Sequence, residues 1–198
     1  MAERTPIELL IARDLHNLVY LEEFVFPASK FTPAGSSEVE LADAVVALDS
    51  TLLILQIKER DTARSGDEDA ERTSFKKRVL KDATRQVRAT LAYLESAGSI
   101  LIPNSRGREF DLASTQFSSI VKVVVYKAAP NLPPDCRNIR FYRSKTAGFI
   151  HVIEYTDYVR LSEFLRVPEE IRLYFSFRER VLTDCRSCGE LHEACLLG

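Results

Sequence analysis

The sequence lacks the features that mark export, membrane insertion or a disulfide scaffold. No apolar run approaches the ~20 residues of a membrane-spanning helix, which excludes that class. The opening Met-Ala-Glu-Arg-Thr-Pro is not a secretory signal. In a chain expected to stay in the cytoplasm, the four cysteines read as thiols or metal ligands rather than disulfides. An excess of one charge is also missing: 27 Lys and Arg against 29 Asp and Glu leave a net charge of −2. This excludes a uniformly basic coat for nucleic acid, so any phosphate contact has to come from local clusters. What is present is ordinary for a globular protein, 45% hydrophobic and 28% charged over 198 residues. That length fits one domain with a short appendage, drawn here as residues 1–184 and a tail of 185–198.

The stretch from Glu40 to Lys58 organises the rest. Asp43–Leu48 and Thr51–Lys58 are two strand-length apolar runs, and Asp49-Ser50 between them is good turn chemistry. A hairpin closed by Leu48 and Thr51 sets Asp43 opposite Gln56, and opposed residues share a face. Lys58, two residues on, lies on that face by the strand's period of two. One carboxylate, one amide and one ammonium therefore converge on strands that are otherwise apolar on both faces, as buried strands are. The plain alternative is a solvated polar cluster, since an exposed Asp/Lys pair is commonly surface decoration.

Asp43, twelve intervening residues, then Gln56-x-Lys58, with a helix before and another after, resembles the PD-(D/E)XK nuclease superfamily. The resemblance covers roughly residues 7 to 94. It implies an α/β fold with a mixed sheet flanked by helices, of restriction endonuclease type, and a metal-dependent phosphodiester hydrolase, endo- or exonuclease, acting on DNA or RNA. It also implies Mg²⁺ or Mn²⁺ held by Asp43, Gln56 and the Ile57 backbone carbonyl, with Lys58 supporting the attacking water. Gln56 stands where the family usually has Glu or Asp, a variant found in modification-dependent restriction enzymes. Glu40, at the expected loop-to-strand junction, is a further candidate, and the family often adds a Glu from its first helix, here Glu22 or Glu23. By analogy with small nucleases of the superfamily, phage defence is the expected setting.

Elsewhere the pattern predicts a first helix over Pro6–Phe26, then a loop from Pro27 to Ser37. A charged loop spans Glu59–Glu71, and an amphipathic helix Thr73–Ser96, with Phe75, Val79, Ala83, Val87, Leu91 and Leu94 as its apolar stripe. Lys77, Lys81, Arg85 and Arg88 form a second stripe, read either as a solubilising face or as a surface that tracks a nucleic-acid backbone. Gln86 borders the buried stripe and is a candidate to reach the site. Ser118–Tyr126 and Gly148–Glu154 read as buried strands, His151 as a sheet residue, and helices start near Ser162 and at Pro168. In the tail, Cys185, Cys188, His192 and Cys195 suit tetrahedral zinc in number, though their spacing is tight for one ion.

Two rival functions stay open from the sequence. One is a nuclease-like domain without catalysis that binds nucleic acid or protein in a larger machine. The other is an unrelated α/β binding module with a structural polar cluster. A partner protein or a homodimer would supply the specificity element that 198 residues leave no obvious room for.

Overall fold

A computed structural model describes residues 11, 22–33, 37–59, 66–104, 106–112, 117–165 and 167–185. Three strands open it: β1 (Val25–Phe31), β2 (Val39–Leu48) and β3 (Thr51–Lys58). They form an antiparallel meander. The tight turn is taken by Asp49 at φ 48°, a left-handed conformation that Asp tolerates better than most residues. The β2–β3 register runs from Leu48 opposite Thr51 to Ala44 opposite Leu55, as the turn chemistry dictates.

A long helical segment follows as α1 (Glu68–Phe75), a π-helical stretch (Lys76–Asp82) and α2 (Ala83–Ser96). After a small hairpin of β4 (Leu101–Pro103) and β5 (Glu109–Asp111), β6 (Ser119–Tyr126) returns parallel to β3. A short helix α3 (Pro134–Arg137) leads to β7 (Phe141–Ser144) and β8 (Gly148–Glu154). The chain then forms α4 (Tyr155–Phe164) and α5 (Pro168–Asp184). The six-stranded mixed sheet has the order β1-β2-β3-β6-β8-β7, with helices on both faces. This is the α/β class expected from the sequence.

The core lies in two layers. On one face, alternate residues of the central strands such as Leu53, Leu55, Val123, Val125 and Ile153 pack with Tyr158 and Leu161 of α4, Ile171 and Phe175 of α5, and Ile11. On the other, Leu52, Ile54, Val124 and Val152 meet Phe75, Val79, Ala83, Val87 and Leu94 of the long helical segment. Strands buried on both faces explain the near-continuous apolar runs.

Several boundaries differ from the sequence expectation. The helix read as far as Phe26 gives way to a 3₁₀ turn at Glu22–Phe24 and then to β1. Within the predicted helix, only Ile11 and residues 22–26 are among those described. Val25 and Phe26 bury into opposite core layers, a period of two that tertiary pairing with β2 imposed on a segment whose apolar spacing also fits a helix. Pro27 is tolerated because β1 is an edge strand. The acidic loop ends early: the Asp67 side chain caps α1 by accepting from Ala70 N–H at 2.9 Å, so the helix begins at Glu68 instead of Thr73. The helix placed near Ser162 starts at Tyr155, where the Glu154 carboxylate accepts from Thr156 N–H at 2.7 Å.

Candidate metal and phosphate site

Asp43, Gln56 and Lys58 lie on the α1–α2 face of the sheet, near the carboxyl end of β3. One residue past the Ala44–Leu55 pair of the β2–β3 ladder, the Asp43 carboxylate accepts from Ile57 N–H at 2.5 Å. Lys58 Nζ then donates to Asp43 Oδ2 at 2.9 Å, to Gln56 Oε1 at 3.3 Å and to Ile57 O at 3.1 Å. Three oxygens from a carboxylate, an amide and a backbone carbonyl thus converge on one cationic nitrogen. Gln56 is buried, and the side chains of Lys58 and Asp43 are only 16% and 10% exposed. In so poorly solvated a place desolvation offsets much of the pair's attraction, while removing either partner alone strands a charge.

An open pocket of about 370 Å³ adjoins the cluster, lined by Ile57, Lys58, Glu59, Arg78, Asp82, Arg85 and Gln86. Gln86 Oε1 is buried and has no hydrogen-bond partner among the described residues. Buried carbonyl oxygens are nearly always satisfied, so this oxygen, on a residue that lines the pocket, has capacity to accept a further hydrogen bond. Thr90, one turn on, anchors α2 by donating to the Leu41 carbonyl of β2, which fixes the height of Gln86 above the sheet. Behind Lys58 a smaller cavity of about 30 Å³ is walled by Glu71, Phe75, Arg78 and Tyr126. Burial pushes the Tyr126 hydroxyl up to about 12, which keeps it neutral there.

The chain has no significant match among family models, curated proteins or solved structures. Its chemistry therefore has to be read from the arrangement itself.

The structure brings Asp43, Gln56, Ile57 and Lys58 together, with Arg85 and Gln86 on the wall of the same pocket. It does not join the other candidates to them. Glu40 lies inside β2, opposite Lys30 and exposed, and makes no hydrogen bond or ion pair with Asp43 or Lys58. Glu23 pairs with Arg106 at 3.1 Å, near the end of β1 that faces away from Lys58. Lys77 and Lys81 are exposed on the helical segment outside the pocket lining. Cys185 ends the described chain, while Cys188, His192 and Cys195 lie outside the described residues.

Sequence reasoning missed three pocket residues, Glu59, Arg78 and Asp82. Uniform α-helical spacing sets Arg78 about 80° from Gln86 around the axis. The π stretch between them advances fewer degrees per residue and brings both to one pocket. Glu71, read as part of a charged loop, is 1% exposed and accepts from Gly66 N–H at 2.8 Å.

Among the described residues no group of three His, Cys, Asp or Glu side chains is placed to hold a metal ion. The oxygens around Lys58 Nζ are a different donor set. They are hard ligands already directed at a cation, the type Mg²⁺ and Mn²⁺ prefer, but they carry a single formal negative charge. The residues fit a weakly bound divalent ion.

A second buried polar cluster lies on the opposite face of the sheet. Arg178 of α5 is fully buried and donates to His151 Nδ1 at 2.8 Å, to Arg140 O at 3.2 Å and to Val152 O at 3.3 Å. His151 sits between the rings of Phe149 and Phe175, each 4.8 Å away. Burial first, then the charges of Arg178 and Lys122, holds its pKa well below the usual value.

Proposed function

We propose that the protein is a divalent-metal-dependent nuclease that hydrolyses phosphodiester bonds, with DNA the favoured substrate and phage defence the setting its superfamily resemblance suggests. The observation that carries this reading is the convergence of Asp43 Oδ2, Gln56 Oε1 and Ile57 O on one cation beside a pocket lined by Arg78 and Arg85. A carboxylate-led oxygen set next to guanidinium groups is what a phosphoryl substrate with its metal requires.

Asp43, Gln56 and the Ile57 carbonyl would hold the ion. When bound, Mg²⁺ or Mn²⁺ supplies Lewis-acid stabilisation and a more acidic water. Asp43 is oriented for this by Ile57 N–H, which donates to the same Oδ2 as Lys58 does. Lys58 exchanges its three oxygen partners for the substrate, where its ammonium orients the water or offsets charge developing on the phosphate. Arg78 and Arg85 position the phosphate backbone from the helical side, and Asp82 restrains Arg85 through an ion pair of 3.6 Å. Gln86 turns its unpartnered carbonyl oxygen to the water or the incoming nucleotide. The neutral Gln56 predicts weak metal affinity and a preference for high metal concentration.

The test is incubation of the purified protein with supercoiled, linear and single-stranded DNA and with RNA, in Mg²⁺, Mn²⁺ or EDTA. Cutting that EDTA stops and that Asp43→Ala reduces at least about a hundredfold is the expected result. Binding without cutting would overturn the catalytic reading in favour of a nucleic-acid-binding module, for which Gln56 is the favouring feature.

A further inference from the structure

Helix α5 buries Ile171, Phe175, Arg178 and Leu182 against the sheet. Its outer face is unusual for a solvated helix. Leu173 and Phe177, four residues apart and so on one side of the helix, are 52% and 44% exposed. At and just before the helix start, Val167 is 48% and Phe164 72% exposed. The charged residues of the helix are mixed: Glu169, Glu170 and Arg172 stand toward the amino end, and Glu179, Arg180 and Asp184 toward the other. Arg180 makes no ion pair among the described residues and rests its guanidinium over the Phe177 ring, 5.5 Å from the centroid.

These features are self-complementary under one operation. A two-fold axis crossing the outer face at the level of residue 175 places each residue opposite the one equally far beyond that level on the second copy. Leu173 then meets Phe177 of the second copy, and Glu170 meets its Arg180, twice over. A parallel arrangement would instead oppose Glu170 to Glu170. Antiparallel pairing also aligns the helix dipoles favourably, and an isologous contact of this kind closes as a dimer. Glu169, Glu170, Glu179 and Asp184 outnumber Arg172 and Arg180 on this helix, a balance that disfavours a phosphate backbone.

We propose that the outer face of α5 is a homodimer interface in which two copies pack their α5 helices antiparallel, Leu173 on Phe177 at the centre and Glu170 on Arg180 at the rims. Because α5 covers the sheet face opposite Asp43 and Lys58, both pockets stay open outward. The inference stands apart from the nuclease reading, and its readout is molar mass rather than cleavage.

The experiment is sedimentation velocity and light scattering of the full chain over a wide dilution series, with circular dichroism to confirm folding. The intact protein is expected to reach dimer mass as concentration rises. Leu173→Glu and Arg180→Glu, both at exposed positions, should each weaken dimerisation by at least about tenfold. The double variant Glu170→Arg with Arg180→Glu should recover most of the loss caused by Arg180→Glu alone, although Glu170 also accepts from Val167 N–H. A monomer at every concentration, a dimer indifferent to Leu173→Glu, or a charge swap that restores nothing would each overturn the proposal.

Discussion

The two buried polar clusters, one on each face of the sheet, differ in what they leave unfinished. At Asp43, Gln56 and Lys58, three acceptors focus on one ammonium, an orphaned carbonyl oxygen stands nearby, and a pocket opens to solvent. At His151 and Arg178, the guanidinium is fully buried and tied to backbone carbonyls and to an imidazole held edge-to-face between two rings. The first has the chemistry of a site that waits for a ligand. The second is a brace that ties α5 to β8 and to the residue preceding β7. Burial of charge by itself therefore does not identify a functional site. Unmet capacity beside an opening is what supports the proposed site at Lys58.

The sharpest way to break this contrast is to disable each cluster in turn. Lys58→Ala is expected to abolish metal-dependent cleavage while thermal unfolding stays cooperative. Arg178→Leu should instead cost about 3–5 kcal/mol of stability, because His151 and two backbone carbonyls lose their donor. Any cleavage left in its folded fraction should keep the wild-type metal dependence. A Lys58 variant that cuts normally, or an Arg178 variant of unchanged stability, would erase the distinction. Next in size, Gln56→Glu should tighten Mn²⁺ binding by about tenfold, since a second carboxylate at the site adds roughly 1–2 kcal/mol of attraction. Calorimetric titration reads this directly.

The His151 brace also predicts a pH signature. Its folded pKa lies well below 6.5, so the unfolded chain binds the extra proton first. Stability should then fall as pH drops below about 6.5, by roughly 1 kcal/mol per unit. Chemical denaturation at pH 7 and pH 5.5 measures the slope, and His151→Gln should flatten it. The smallest effect is expected at Gln86→Leu. Removing an unsatisfied buried oxygen should leave stability equal or raise it by up to about 1 kcal/mol, while cleavage falls. A loss of stability there would show that the oxygen has a structural partner.

How much of this was legible in the sequence follows from the range of the interactions involved. The hairpin register was, because the Asp49-Ser50 turn is local and the apolar runs on either side tolerate no slip. The convergence of Asp43, Gln56 and Lys58 followed from that register. Arg78 was not legible, since its approach to Gln86 depends on a π stretch whose hydrogen bonds leave no composition signal. Glu71 was misread because its acidic neighbours look like a solvated loop, yet it lies in α1, buried, with its carboxylate accepting from Gly66 N–H. Neither Glu40 nor Glu23 reached the cluster. A carboxylate near a motif in sequence goes where its strand and its pairing partners take it, here to the exposed part of β2 and to Arg106.

By itself the sequence determined the class of the fold, the β2–β3 hairpin and the identity of its polar trio, all products of short-range periodicity and turn preference. Only the tertiary structure decided that residues 25–31 become an edge strand, that the trio's oxygens meet on the Lys58 ammonium, and that Arg78, Asp82, Arg85 and Gln86 wall its pocket. The reason is physical. Strand pairing and the seating of a helix on a sheet join residues far apart in the chain, and burial across those contacts outweighs the small local preferences that sequence patterns record.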